Sequence, residues 1–149
     1  MLVLSLSKSV RRIYQPKYFH VANWIKQSIT NKYNGIYIDC SIVKLDTSRT
    51  INAKYRNKDY PTNVISLEYP ATRDEFKILS GELILCDDVI LEEASQQDKS
   101  IFEHYAHLVI HGMLHLQGFD HQKECDAKIM ENLEIKIMRN LGFSNPYKR

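Results

Sequence analysis

Three histidines and two glycines fall within one short segment, His111-Gly112-Met113-Leu114-His115-Leu116-Gln117-Gly118-Phe119-Asp120-His121. On a helix, His111 and His115 would lie one above the other and share a cation at roughly 2.0–2.1 Å from each nitrogen. Gly118 stands where helices often end in a left-handed residue, so the chain can turn back and bring His121 to the same ion. Three imidazoles leave one position open, the arrangement of a catalytic zinc. The segment therefore predicts one transition-metal ion, for which Zn²⁺ is our prediction although histidines also bind nickel, copper and iron; the alternative is two helical histidines that merely lie close together.

The residue after His111 narrows the range of reactions that the predicted metal site could catalyse. The spacing of His111, His115, Gly118 and His121 is that of the metzincin proteases, which carry a glutamate as general base directly after the first histidine. Gly112 occupies that position and can neither take a proton nor hold a water. Peptide hydrolysis would need a base from elsewhere and is therefore disfavoured.

Other polar residues near this segment have simpler interpretations. His107 and His111 form a competing pair four residues apart, but no glycine turn brings a third imidazole to them. We interpret His107 as a packed residue that orients the site, and His104 and His20 as surface residues. Asp120 either accepts a hydrogen bond from a ligand imidazole or caps the helix that follows.

Length and composition favour one ordinary globular domain over residues 1–149. The chain is 26% charged and 44% hydrophobic, and its net charge of +2 permits a nucleic-acid partner without indicating one. The three cysteines are widely spaced and odd in number, which indicates reduced thiols in a cytoplasmic protein. We expect no signal peptide and no membrane contact, since no apolar run approaches the ~20 residues of a membrane span.

The hydrophobic pattern predicts an α+β fold, a small mixed four-stranded sheet packed with about five helices, one of them metzincin-like and metal-bearing. Strands are predicted at residues 2–7, 36–43, 64–67 and 81–86, with a long loop over residues 68–80. The first helix is predicted from Tyr18 to Gly35, and the second after a cap at Asp46 or one of the hydroxyls that follow it. Asp87 and Asp88 are predicted to cap a third helix that runs to Gln97, and Ser100 with Glu103 a fourth, as a capping box. A final helix is predicted after His121, to about Leu141.

A basic cluster follows the first predicted strand. Lys8, Arg11, Arg12 and Lys17 lie in a turn closed by Pro16. Such a cluster can contact phosphate, although a solvated connection is the simpler interpretation.

The histidine segment resembles that of the YbeY family of bacterial rRNA-maturation metalloproteins. Residues 52–66, NAKYRNKDYPTNVIS, are similar to that family's N-x-x-Y-R-x-K-D-x-P-T-[DN]-V-[LI]-S segment. Residues 81–86 and the closing LGF and NPY also fit, so that the resemblance spans roughly residues 46–147 in consistent order. One departure is Leu67-Glu68, where the family commonly has Phe-Pro, which puts substrate contacts of the following loop in doubt.

The resemblance implies a single-strand-preferring endoribonuclease that acts in 16S rRNA 3′-end processing and ribosome quality control. Its implied partners are the 16S rRNA precursor and the ribosome or small-subunit proteins. It also implies His111, His115 and His121 as zinc ligands and Arg56 as the functional arginine. From sequence alone, a salt bridge is the simpler interpretation of Arg56, and the resemblance reverses that order.

These residue types suit RNA chemistry. A three-histidine metal can lower the pKa of bound water toward ~7 or act as a Lewis acid. The planar guanidinium of Arg56 can hold a phosphate with several donors. Lys58 can add a phosphate contact or be merely solvated, and Ser66 can border the cleft or only satisfy backbone groups at the end of a strand.

Two further functions are compatible with the same residues. Cys125, four residues beyond His121, could close the site as a fourth ligand, which would make the protein a non-catalytic ribosome-binding factor with a structural zinc. Alternatively, the metal could serve a peptidase-like hydrolase whose base comes from elsewhere.

Overall fold

The computed structural model describes residues 1–70, 77–120 and 122–148, and its four strands form one mixed sheet. The strands run in the order β1-β2-β4-β3 across the sheet; β1, β2 and β4 are parallel, and β3 is antiparallel to β4. This confirms the predicted α+β class. The strands are β1 (Leu2–Lys8), β2 (Gly35–Val43), β3 (Val64–Glu68) and β4 (Ile78–Cys86).

The helices of the described residues are α1 (Tyr18–Gln27), α2 (Leu45–Arg56), α3 (Asp87–Gln96), α4 (Ile101–Leu116) and α5 (Glu124–Asn140). Helix α4 is the centre of the fold, since it packs against β3, β4, α1, α3 and α5. It begins at the predicted cap, Ser100, whose side chain accepts a hydrogen bond from the Glu103 backbone N–H, one of the two bonds of a capping box. A helix covered on so many sides is apolar around most of its circumference. No described helix combines the length and the apolar character that a bilayer crossing requires.

The main core lies between α1, α4 and one face of the sheet, where Val21, Trp24 and Ile25 of α1 are buried. A smaller cluster of Val43, Ile65 and Ile84 packs with Ile51 of α2. Side chains alternate between the two faces of a strand. The neighbouring residues Leu85 and Ile84 therefore belong to the main core and to the smaller cluster, respectively.

Helix α1 is shorter than predicted. It ends at Gln27, and the prediction that it extends to Gly35 is wrong. The hydroxyl of Ser28 donates to the Trp24 carbonyl, and the Gln117 amide donates to the Ser28 carbonyl. Long-range hydrogen bonds to the end of α4 thus replace the last helical turns.

Two further boundaries differ from prediction. The N-cap of α2 is Lys44, and Asp46 lies within the first turn. Strand β4 begins at Ile78 because β2 offers it a partner as far as Gly35. The Leu67-Glu68 departure simply continues β3 to its end at Glu68.

The N-cap of α3 is Cys86, and the side chain of Asp87 does not cap this helix. The Asp87 carboxylate is 2% exposed and accepts hydrogen bonds from the hydroxyls of Tyr14 and Tyr105. Burial and the hydrogen bond to this charge raise the pKa of Tyr14 to about 12. The carboxylate thereby joins the loop after β1 to α3 and α4.

Candidate metal centre and adjoining cleft

Helix α4 presents His111 and His115 on one face near its C-terminal end. Gly118 has a φ of 97°, which L-residues rarely adopt, and it reverses the chain as predicted. The turn brings the Phe119 carbonyl back to His115, whose Nδ1 lies 3.1 Å from that oxygen.

The two imidazoles converge. Nδ1 of His111 lies 3.0 Å from Oε1 of Glu134, and the Nε2 atoms of His111 and His115 are 3.0 Å apart. Because each Nδ1 faces an oxygen acceptor, we assign the proton of each neutral ring to Nδ1, and this tautomer directs both Nε2 lone pairs at one another. Two nitrogens bound to one tetrahedral ion would lie roughly 3.3 Å apart. The pair therefore fits a shared cation.

The third predicted ligand, His121, lies outside the described residues. Within residues 1–70, 77–120 and 122–148, no three His, Cys, Asp or Glu side chains are grouped as a metal site. The structure brings together His111 and His115, and the role of His121 stays a prediction.

Sequence reasoning missed Glu134, the carboxylate behind the histidines. It is 1% exposed and accepts hydrogen bonds from His107 Nε2, from His111 Nδ1 and, at 2.7 Å, from the Tyr147 hydroxyl. Burial alone would raise the pKa of Glu134, but the hydrogen bonds from His107 and His111 outweigh it and lower this pKa to about 2. The available signal was that Glu134 lies four residues after Met130 and three before Ile137, on the apolar face of α5.

The remaining histidines have distinct environments. His107 donates to the same carboxylate as His111, which agrees with its predicted orienting position, and burial lowers the pKa of His107. His104 is 3% exposed, with Nε2 2.9 Å from Glu93 Oε1, so its prediction as a surface residue is wrong. His20 is half-buried, and its ring packs edge-on against Phe102 with centroids 4.8 Å apart.

The glycine in place of a general base is explained by packing. A Cβ at residue 112 would lie 2.7 Å from Leu83 Cδ2 and 3.0 Å from Ser66 Oγ. The Ser66 hydroxyl donates to the Gly112 carbonyl across 3.2 Å. Helix α4 therefore sits directly on β3 and β4 at this point, and a glutamate here would separate them.

A cleft of about 600 Å³ opens beside the two histidines and is lined by Arg56, Ser66, His111, His115 and Asp120, among others. Arg56 is the last residue of α2, and Asn57 then turns the chain with a left-handed φ of 58°. Lys58 is not among the described residues that line the cleft, and its predicted phosphate contact stays a prediction.

The segment after Arg56 is fixed to α2 by two buried polar side chains. The Asn52 amide donates to the Tyr60 carbonyl at 2.8 Å. The Ser48 hydroxyl both donates to the Thr62 carbonyl and accepts from the Thr62 N–H, each at 3.0 Å. These bonds hold the segment that returns from Arg56 to β3, and Arg56 and β3 both contribute to the lining of the cleft.

Asp120 and Cys125 are the two residues near the histidines with alternative predicted roles. Asp120 accepts from the Gln122 N–H at 3.1 Å, and the N-cap of α5 is Lys123, so Asp120 does not cap that helix. Cys125 is exposed, with its sulfur 3.9 Å from Asp126 Oδ1.

Comparisons with known proteins agree with the resemblance seen in the sequence. Residues 7–142 match the family model described as endoribonuclease YbeY. The chain is 43% identical over 134 residues to endoribonuclease YbeY of Burkholderia lata, covering 89% of this chain and 75% of that protein. It is 42% identical over 125 residues to the Methylococcus capsulatus protein of the same name, covering 84% and 82%.

A solution structure of a Thermotoga maritima protein is similar in fold, with a TM-score of 0.51 over 99% of this chain and 100% of that one. The sequences are 19% identical, so the likeness concerns the fold alone.

Proposed function

Because this chain belongs to the YbeY endoribonuclease family, we propose that it is a metal-dependent endoribonuclease that prefers single-stranded RNA. Its proposed substrate is the 16S rRNA precursor near the 3′ end, and its proposed setting is ribosome maturation and quality control in the cytoplasm, in contact with the ribosome or small-subunit proteins. The proposed cofactor is one Zn²⁺ ion.

One observation carries this proposal: the Nε2 atoms of His111 and His115 face each other across 3.0 Å at the wall of a cleft that Arg56 also lines. Lone pairs so placed repel unless a cation or a proton lies between them. A cation next to an arginine is suited to a phosphodiester, whose negative charge increases during cleavage.

The ion would be held by His111, His115 and the predicted third ligand His121. When bound, it would supply Lewis acidity to the phosphate. Glu134 and the Phe119 carbonyl keep the Nδ1 protons of His111 and His115 in place. The two Nε2 atoms therefore stay available as ligands.

Arg56 would bind the phosphate with its planar fork of donors. The role of Ser66 would be mainly a positioning one, because its hydroxyl proton is already donated to the carbonyl of Gly112 in α4. Since Gly112 offers no base, proton transfer during the reaction would fall to another group in the cleft.

Purified protein offered single-stranded RNA, a structured rRNA 3′-end precursor and a peptide pool would test the proposal. We expect cleavage of RNA only, and a loss of about a hundredfold or more in both His111→Ala and Arg56→Ala. Arg139→Ala, an exposed arginine on α5, is the matched control and should keep full activity. Cleavage unchanged in both site variants would indicate a contaminating nuclease and overturn the proposal.

Metal analysis and cobalt substitution test the open site separately. We expect bound metal to be lost in His111→Ala and retained in Cys125→Ala. A thiolate-to-cobalt charge-transfer band that disappears in Cys125→Ala would instead establish a closed, structural site.

A further inference from the structure

The last residue of β1, the connection to α1 and the first two residues of α1 form one segment that presents cations and apolar side chains together. We propose that this segment, residues 8–19 and here called the basic loop, is a second RNA-binding surface. It would hold the part of a single strand that extends beyond the cleft. The inference rests on the proposed function for the identity of the ligand, and on the loop itself for the site.

The basic loop concentrates positive charge. It carries Lys8, Arg11, Arg12 and Lys17, the last three exposed. Among the described residues, none of the four is within ion-pair distance of a carboxylate. Burial, together with the nearby charges of Arg11 and Lys17, lowers the pKa of Lys8. A polyanion would relieve their repulsion.

The loop is held in shape by its own polar groups. Gln15 is 5% exposed; its Oε1 accepts from the Arg12 N–H at 3.1 Å, and its Nε2 donates to the Val10 carbonyl at 3.2 Å. The Lys8 ammonium donates to the Pro16 carbonyl at 2.9 Å. A charged surface fixed before binding loses less conformational entropy when a ligand arrives.

Exposed aromatic rings favour single-stranded RNA as the occupant. Tyr18 and Phe19, in the first turn of α1, are 52% and 63% exposed, and Ile13 is fully exposed. Unpaired bases stack on such rings while cations hold the phosphates, and this combination is typical of single-strand binders. A duplex would offer the phosphates but not the base faces.

The basic loop is separate from the cleft. It follows β1, one edge of the sheet, whereas Ser66 and its neighbours in the cleft belong to β3, the other edge. Three interstrand spacings separate these edges, or roughly 14 Å. A strand that reaches both surfaces must therefore be longer than one that fills the cleft alone.

RNA binding, measured under conditions in which the protein does not cleave the RNA, tests the basic loop directly. The variant Arg11→Gln/Arg12→Gln/Lys17→Gln is compared with Lys32→Gln/Lys128→Gln/Lys136→Gln, which removes the same charge from exposed positions elsewhere. For an RNA of about 16 nucleotides, we expect the loop variant to bind about tenfold more weakly at low salt. The slope of log affinity against log salt should fall by about 2, at about 0.7 per lost phosphate contact. Equal affinities and slopes for the two triple variants would overturn the inference.

Cleavage of two RNA lengths separates this inference from the proposed function. On an RNA of about 4 nucleotides, the loop variant should match the wild type. On the longer RNA its kcat/KM should be lower, mainly through a higher KM. If the wild type cleaves neither RNA, the proposed function fails, while the binding experiment still decides the loop.

The aromatic residues have their own test. Tyr18→Ala/Phe19→Ala should weaken binding of the longer RNA by about tenfold, whereas Tyr37→Ala, another exposed tyrosine, should not. Vesicles containing an anionic phospholipid distinguish an RNA surface from a membrane surface. Loop-dependent binding to these vesicles, without loop-dependent binding to RNA, would overturn the proposal.

Discussion

Glu134 determines how two histidines of α4 are oriented. Its two oxygens accept hydrogen bonds from His107, His111 and Tyr147. A carboxylate can accept all three bonds, whereas a carboxamide has only one acceptor oxygen. The proposed metal site thus depends on a residue that would not itself touch the metal.

Glu134→Gln should therefore lower zinc affinity by about 10- to 100-fold. The amide NH₂ of glutamine is itself a donor, so it cannot accept the hydrogen bonds that one carboxylate oxygen of Glu134 accepts in the wild type. Affinity can be measured by competition with a chelator, and circular dichroism shows whether the variant is folded. Glu131→Gln, an exposed acid on the same helix, is the control and should bind zinc like the wild type. Unchanged affinity in Glu134→Gln would show that the carboxylate does not orient the ligands.

The three cysteines should react very differently with a thiol reagent. Burial raises the pKa of the Cys40 thiol to about 12 and raises that of Cys86, whereas Cys125 is exposed. The native protein should label quickly at one thiol and the unfolded protein at all three. Cys125→Ser should abolish the fast labelling. Protection of Cys125 by added zinc would instead support the closed-site alternative.

At the scale of elements, periodicity and turn residues predicted the strand and helix types, since these are local properties. Ser100 and Gly118 act as predicted because a cap and a left-handed turn depend on a few neighbouring residues. The end of α1 was mispredicted because Gln117, distant in sequence, binds Ser28. Glu134 was missed for the same reason, since His107 and His111 lie on another helix and Tyr147 lies in the segment after α5.

Gly112→Ala tests how closely α4 sits on the sheet. The added methyl group would overlap Leu83 and Ser66, which costs about 1–3 kcal/mol in a packed core, against a gain in helix propensity of about 1 kcal/mol. We expect a net loss of free energy of unfolding, measured by urea titration. Ser95→Ala, at an exposed site on α3, should change stability little. A variant as stable as the wild type would mean that α4 can move away from β3.

At the scale of the whole molecule, the strand order could not be predicted from the sequence. Strand β4 lies between β2 and β3, and β3 runs opposite to it. These pairings follow from how the helices cover the sheet rather than from the residues of one strand. The same packing brings Asn63, Glu93 and His104 together from three parts of the chain.

The cluster of Asn63, Glu93 and His104 should make stability depend on pH. Burial would raise the pKa of Glu93, but hydrogen bonds from His104 and Asn63 outweigh it and, with the charge of nearby Lys99, lower this pKa below its ordinary value of 4.5. A carboxylate whose pKa is lower in the folded state stabilises the fold above about pH 4.5, and this contribution is lost as the pH falls further. Urea titrations across this range should show a shallower decline for Glu93→Gln than for the wild type. Glu92→Gln, the exposed neighbour, should follow the wild-type curve, and a Glu93→Gln curve parallel to wild type would contradict the coupling.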